Sequence, residues 1–229
     1  MIPPPVIEEH GGVYVVRDDL VPGGTKARAV PRLFDGHDEY VYASPVQGFA
    51  QIALAYACAA AGHRCTVFCA ERQVQHRRTA AAERAGAVLH TVRPGYLGVV
   101  QARARQYAAE HGACLLPFGL ACEEMVAGIA AVARALPYRP REVWSVAGSG
   151  TLQRGLQRAW PDARFYAVRV GVPPDAGRAT VLQAPERYER DAMMPPPFPS
   201  CGNYDAKAWR FIVERATPGA LFWNVAGDV

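Results

Sequence analysis

The fold of this 229-residue chain is indicated most clearly by the segment Val143-Trp144-Ser145-Val146-Ala147-Gly148-Ser149-Gly150-Thr151-Leu152. An apolar strand meets a glycine-rich turn and then a helix, and backbone N–H groups in such a turn can hold a phosphate. No Gly-Lys-Ser/Thr follows, and Arg154 breaks the GxGxxG spacing, so neither of those nucleotide-binding motifs is present. The stretch predicts a phosphate site over Gly148–Leu152, with an ordinary strand-to-helix turn as the alternative.

The same alternation of strands and helices continues in both directions from this turn. The predicted strands are Val13–Val16, Tyr40–Ala43, Arg64–Cys69, Val88–Val92, Ala113–Phe118, Glu142–Ala147, Phe165–Val170 and Ala220–Val225. The predicted helices are Phe49–Ala61, Arg77–Ala85, Tyr96–Glu110, Glu123–Leu136, Thr151–Trp160 and Asp205–Ala216, with an extended piece at Arg178–Arg187. This alternation predicts βαβ units and a largely parallel sheet.

The composition is that of a folded globular protein, with 50% hydrophobic and 20% charged residues. No run of 18 apolar residues is present, and the N-terminus lacks the pattern of a signal peptide, so we expect a cytoplasmic protein without a membrane span. The six cysteines form no CxxC pair and lie mostly in apolar segments, which predicts free core thiols and no metal site.

Lysine is scarce: of the 25 basic residues only Lys26 and Lys207 are lysines. Arginine cannot be deprotonated in a protein, so amine chemistry is limited to these two side chains and the N-terminus. Lys26 follows the turn Val21-Pro22-Gly23-Gly24-Thr25 and lies at the start of an expected helix, whose dipole would lower the pKa of the amine. A lysine that forms a Schiff base needs this property, although a solvent-exposed lysine after a glycine turn is the alternative.

These segments, in this order, resemble the fold type II pyridoxal phosphate (PLP) enzymes of the tryptophan synthase β-subunit group. The branch that is most similar contains 1-aminocyclopropane-1-carboxylate (ACC) deaminase and D-cysteine desulfhydrase, in a form that is shortened here. The resemblance is carried by Val16-Arg17-Asp18-Asp19, Gly23-Gly24-Thr25-Lys26, Ser44-Pro45-Val46-Gln47-Gly48-Phe49-Ala50-Gln51, Gly148–Leu152, Tyr204-Asp205-Ala206-Lys207 and Leu221-Phe222-Trp223-Asn224-Val225-Ala226-Gly227.

The resemblance implies an α/β fold of two lobes with mostly parallel sheets and PLP in the cleft between them. Residues 35–118 would form the smaller lobe, and residues 1–34 and 119–229 the larger, PLP-binding lobe. It also implies a homodimer and a small amino-acid-like substrate.

The resemblance also assigns roles within the site. Lys26 would carry the Schiff base, Asp205 would contact the ring nitrogen, and Tyr204 would be a catalytic acid. The cofactor phosphate would lie on Gly148, Ser149, Gly150, Thr151 and Leu152, and the substrate would contact Ser44, Gln47, Gly48, Phe49 and Tyr188.

One departure concerns the substrate loop, where the Ser-Asn pair of the family is replaced by Gly48-Phe49. We expect a deaminase or lyase that acts at Cα, since an acid at the ring nitrogen favours that chemistry. One alternative is a compact phage-type enzyme acting on an amino acid attached to a modified nucleobase, with Phe49 as a stacking surface; the mild net charge of +4 lends weak support to a nucleic-acid partner. A second alternative is a phosphate-binding α/β protein without catalysis.

Overall fold

The structure, a computed structural model, describes residues 2–93, 95–171 and 173–227. Its strands are β1 (Ile7–His10), β2 (Val13–Arg17), β3 (Glu39–Ala43), β4 (Arg64–Ala70), β5 (Ala87–Val92), β6 (Cys114–Leu115), β7 (Glu142–Ala147), β8 (Arg164–Arg169), β9 (Thr180–Gln183) and β10 (Leu221–Asn224). Its α-helices are α1 (Ala50–Ala61), α2 (Arg77–Arg84), α3 (Leu97–His111), α4 (Glu123–Ala135), α5 (Thr151–Ala159) and α6 (Trp209–Arg215). Short 3-10 helices cover Asp18–Leu20, Thr25–Arg28, Val30–Leu33, Phe118–Leu120 and Asp205–Ala208.

The strands form two separate sheets. The larger sheet has the order β1-β2-β10-β7-β8-β9, in which only the β1–β2 pair is antiparallel. The smaller sheet has the order β5-β4-β3-β6 and is parallel throughout. The predicted two-lobed α/β fold with mostly parallel sheets is confirmed. The strands of each sheet fall within the residue ranges predicted for its lobe, whereas the exact lobe boundaries stay a prediction.

Burial explains why the predicted strands and helices form. All residues of β3 and β7 are buried, as expected for central strands of parallel sheets that helices cover on both faces. Helix α1 is rich in alanine, a strong helix former, and ends at Gly62, which adopts a left-handed conformation with φ of +77°.

One apolar core connects the two lobes. It runs from Val16 and Trp223 of the larger sheet, through Val30, to Tyr40 and Leu54 of the smaller lobe. The segment between β2 and β3, which includes Val30, therefore packs against both lobes.

Several predicted elements differ from those observed. The predicted strand Ala113–Phe118 pairs only at Cys114–Leu115, because the chain then turns through Pro117 into the 3-10 helix at Phe118–Leu120. The predicted helix Asp205–Ala216 begins as a 3-10 turn and becomes α-helical at Trp209. The edge strand β1 was not predicted.

Candidate active site

The loop before Lys26 is shaped by close contact with the end of β10. Gly24 has φ of +69°, and a Cβ there would lie 2.4 Å from the carbonyl oxygen of Val225. The N–H of Thr25 donates to the same oxygen at 3.0 Å. Only glycine fits this position, so the glycine pair places Lys26 against the edge of the larger sheet.

A buried acid anchors this loop. Trp223 Nε1 lies 3.0 Å from Asp18 Oδ2 and 2.9 Å from Thr25 Oγ1, and Arg28 Nε donates to Asp18 Oδ1 at 2.7 Å. Burial raises the pKa of Asp18, and the nearby guanidinium of Arg28 opposes that shift. The resemblance includes Asp18 in a motif without a role for it, and the structure shows that Asp18 holds the lysine loop in place.

The amine of Lys26 faces a backbone carbonyl. Its Nζ donates to Gly119 O at 2.8 Å, and burial lowers the pKa of the amine to about 8. The predicted direction of the pKa shift agrees with the structure. Its cause is burial, because the expected helix is a four-residue 3-10 helix, Thr25–Arg28.

Gly119 joins the lysine to the glycine-rich turn. Its φ is +69°, and a Cβ there would lie 2.9 Å from the Cβ of Ser149. The N–H of Gly119 donates to Tyr42 Oη at 3.1 Å, and burial raises the pKa of Tyr42 to about 12. Lys26 and Ser149 therefore both lie next to Gly119.

The predicted phosphate turn links β7 to α5, as expected. Gly150 has φ of +82° immediately before α5, and the hydroxyls of Ser149 and Thr151 are 3.0 Å apart. Within the described residues, no protein group accepts a hydrogen bond from the N–H groups of residues 149–152. Several backbone donors are thus available beside the start of a helix, which is the arrangement that binds phosphate.

Tyr204 reaches the turn at Gly148, and the buried Asp205 follows it in the chain. A Cβ on Gly148 would lie 3.1 Å from Tyr204 Oη, and both Tyr204 and Asp205 lie in buried surroundings that raise their pKa values. Asp205 is fully buried; its Oδ2 accepts from Ala226 N at 3.2 Å, while its Oδ1 has no hydrogen-bond partner. Asp205 makes no side-chain cap to the helix that it begins.

Hydrogen bonds within the predicted substrate loop, residues 44–51, hold its shape. Ser44 is buried and its hydroxyl donates to Pro45 O at 2.8 Å, so the hydroxyl points into the loop. Gly48 N donates to the same carbonyl at 2.8 Å, and Gln51 Nε2 donates to the carbonyls of Val46 and Gly48 at 3.1 Å and 2.9 Å.

Three of the predicted substrate residues meet at a side chain that sequence analysis missed. Arg78 donates to Gln47 O at 2.6 Å, and its guanidinium carbon lies 4.0 Å from the centre of the Phe49 ring. Tyr188 Oη lies 3.5 Å from the same carbonyl of Gln47. One face of Phe49 is thus covered by Arg78, which leaves only the other face for a stacked ligand.

A cleft lies between the two lobes next to this loop. Its lining includes Gly23 and Gly24 from the lysine loop, Phe49 and Ile52 from the smaller lobe, and Ala226 after β10. The cleft therefore brings the lysine loop and the substrate loop to one opening.

The second lysine has a structural contact. Lys207 is fully buried, and its Nζ donates to Arg187 O at 2.9 Å and lies 3.5 Å from Tyr188 O. Burial lowers its pKa as well. Lys207 therefore fastens the segment that carries Tyr188, and Lys26 is the lysine next to the glycine-rich turn.

None of the six cysteines forms a disulfide bond, and four of them are buried. The expectation that the protein binds no metal stays a prediction. Among the described residues, no helix has both the length and the apolar character needed to cross a membrane.

A glycine-rich turn with unpaired backbone donors, a partly buried lysine beside it and a fully buried acid form the combination expected of an α/β enzyme that depends on PLP. The family model for pyridoxal-phosphate dependent enzymes matches residues 2–209, and the chain belongs to this family. Members use PLP as their cofactor, as the sequence predicted.

Solved structures show the same fold. An ACC deaminase homologue has a TM-score of 0.81 at 16% identity over 94% of this chain and 84% of that one. Diaminopropionate ammonia lyase from Escherichia coli has a TM-score of 0.69 at 15% identity over 94% and 78%. Threonine deaminase from T.th. has a TM-score of 0.70 at 15% identity over 95% and 87%. No curated protein sequence matches the chain significantly.

The residues present fit PLP. The free N–H groups of residues 149–152 suit its phosphate, and the Nζ of Lys26 suits its aldehyde. The unpartnered Oδ1 of Asp205 suits a protonated ring nitrogen, because a buried carboxylate oxygen without a hydrogen bond is costly.

Proposed function

We propose that this protein is a PLP-dependent enzyme of the deaminase or lyase type, which acts at Cα of an amino acid or an amino-acid-like substrate. The observation that carries the proposal is the unpartnered oxygen of the fully buried Asp205. Asp205 accepts from Ala226 N, and Ala226 also lies close to Gly24 of the lysine loop. A carboxylate partner keeps the pyridine ring protonated, and a protonated ring favours reactions that leave negative charge at Cα.

Lys26 is proposed to hold the cofactor and to move the proton at Cα. A primary amine attacks an aldehyde only in its neutral form, and the lowered pKa of about 8 supplies that form near neutral pH. The hydrogen bond to Gly119 O fixes the position of Nζ. The same neutral amine is a base of suitable strength for a Cα proton.

The glycine-rich turn and Asp205 are proposed to orient the cofactor from its two ends. The N–H groups of residues 149–152 would hold the phosphate, with help from the Thr151 hydroxyl, and Asp205 would hold the ring nitrogen. The bound cofactor withdraws electrons from the bonds at Cα of an attached amino acid.

Tyr204 is proposed to cover the turn rather than to remove a proton. Its phenol keeps its proton because burial and the neighbouring Asp205 raise its pKa. A protonated phenol can donate a hydrogen bond or a proton to the substrate. The homodimer stays a prediction.

The proposal is tested by trapping the cofactor on the protein. Protein loaded with PLP is reduced with borohydride and digested, and the peptide masses are measured by mass spectrometry. We expect the added mass on the peptide that contains Lys26, no addition in Lys26→Ala or Lys26→Arg, and none on the peptide that contains Lys207. An amino-acid panel with detection of released ammonia and 2-keto acid then tests the reaction type. Absence of any trapped cofactor would refute the proposal.

A further inference from the structure

Arg78 is a charged side chain buried among the predicted substrate residues. It lies on α2 with an exposed fraction of 1%, whereas Arg77 and Arg84 on the same helix are exposed. A buried arginine is rare unless it is paired with an anion.

The acceptors around Arg78 include no carboxylate. Its Nη1 donates to Gln47 O at 2.6 Å, and its Nη2 contacts Asn203 Oδ1 at 2.6 Å and Cys201 Sγ at 2.9 Å. The Phe49 ring covers the guanidinium, and Nε has no acceptor. Among the described residues Arg78 forms no ion pair with an acid.

The titratable groups near Arg78 interact with it, but none of those in the described residues forms an ion pair with its guanidinium. These groups are Asp205 and Tyr188, which interact electrostatically with Arg78, and Cys201, whose sulfur accepts a hydrogen bond from it. Asp205 uses one oxygen on Ala226 N and makes no hydrogen bond with the guanidinium. A cation in such surroundings gains more from an arriving anion than an exposed arginine does, because the interaction is not weakened by water.

We propose that Arg78 binds the carboxylate of the substrate, so that the enzyme acts on amino acids whose carboxylate is free. This inference rests on the proposed function, because it assigns a substrate group to the same site. Arginine presents five donors in a planar fork that matches a carboxylate, and its unpartnered Nε lies on one edge of that fork. Gly48 and Phe49 supply neither a hydroxyl nor an amide side chain for this purpose.

The test uses propionate and propionamide as probes, since they differ in charge but hardly in shape. Their binding to the PLP-loaded protein is measured by calorimetry. We expect propionate to bind at least about tenfold more tightly than propionamide, and Arg78→Gln to lose at least about tenfold in propionate affinity. Arg77→Gln, at the exposed neighbouring position of the same helix, is the matched control and should bind propionate as the wild type does.

Two results would overturn the inference. The first is equal propionate affinity in the wild type and in folded Arg78→Gln, which would leave Arg78 with a structural role alone. The second is equal affinity of the wild type for propionate and propionamide, which decides the matter even when Arg78→Gln does not fold. Borohydride trapping on the same samples separates the two proposals: trapped cofactor with unchanged propionate binding refutes only the role of Arg78, whereas no trapped cofactor refutes the proposed function.

Discussion

The pKa of Lys26 makes a measurable prediction about cofactor capture. At pH 7.5 an amine with a pKa of about 8 is neutral in roughly a quarter of the molecules, whereas a lysine at 10.5 is neutral in about one in a thousand. Burial favours the neutral form, so the pKa falls rather than rises. The neutral, reactive fraction of Lys26 is therefore a few hundred times larger than at its ordinary pKa, and although a less basic amine is a weaker nucleophile, capture of the PLP aldehyde near neutral pH should still be faster.

The pH dependence follows from the same fractions. Capture by Lys26 should rise about tenfold between pH 7 and pH 9 and then change little up to pH 10. The assay mixes cofactor-free protein with PLP, stops the reaction with borohydride at set times, and measures the modified peptide. N-acetyl-lysine in the same buffers is the reference amine. Its rate divided by its own neutral fraction at each pH gives the titration of PLP, which is then divided out of the Lys26 rate.

The refuting result is a rate that, after this correction, still rises about eightfold between pH 9 and pH 10, as it would for an unperturbed lysine. That outcome would mean that water reaches Lys26 freely and that burial does not set its pKa.

Three further predictions concern other parts of the site. Asp205→Asn should retain trapped cofactor but lower turnover at least about 100-fold, because an amide provides no negative charge at the ring nitrogen; unchanged turnover would remove Asp205 from the chemistry. Gly150→Ala should lower the melting temperature by several degrees, because its Cβ would lie 1.8 Å from Asp175 O at a φ of +82°; an unchanged temperature would contradict this. Trp223→Phe should lower the free energy of unfolding by about 1–3 kcal/mol in urea denaturation, since Asp18 loses a buried donor, and no loss would contradict that account.

Two substitutions serve as matched controls. Gly36→Ala also adds a Cβ at a positive φ, +98°, but nothing lies within 4 Å, so it isolates the backbone cost from the steric clash. Trp160→Phe removes a buried indole N–H that has no hydrogen-bond partner in the described structure, so it should cost less than Trp223→Phe.

The parts of the fold that sequence predicted are those with local signals. The segment from β7 to α5 combines an apolar strand, a glycine turn and an amphipathic helix, and its observed strand is the predicted one. In contrast, β1 reads Ile-Glu-Glu-His, and a polar strand at the edge of a sheet carries no alternating pattern.

The site was predictable only where the chain resembles a family. The proximity of Lys26, the glycine-rich turn and Tyr204 depends on the tertiary fold, and the secondary-structure propensities of these residues do not predict it. Arg78 lies in the arginine-rich sequence of α2, which is typical of a solvent-facing helix, and only the packing of α2 reveals that this arginine is buried.

The contact between Lys26 and Gly119 determines which amino-acid substitutions can move the lysine. The partner of the amine is a main-chain oxygen, so apart from changes at Lys26 itself no substitution deletes an acceptor side chain. What substitution can change is the path of the chain: a Cβ at Gly119 would meet Ser149 and push the lysine's partner and the phosphate turn apart together. In directed evolution, therefore, variation at Gly119 should shift the placement of both ends of the cofactor at once, whereas variation elsewhere on that loop should leave the lysine's anchor intact.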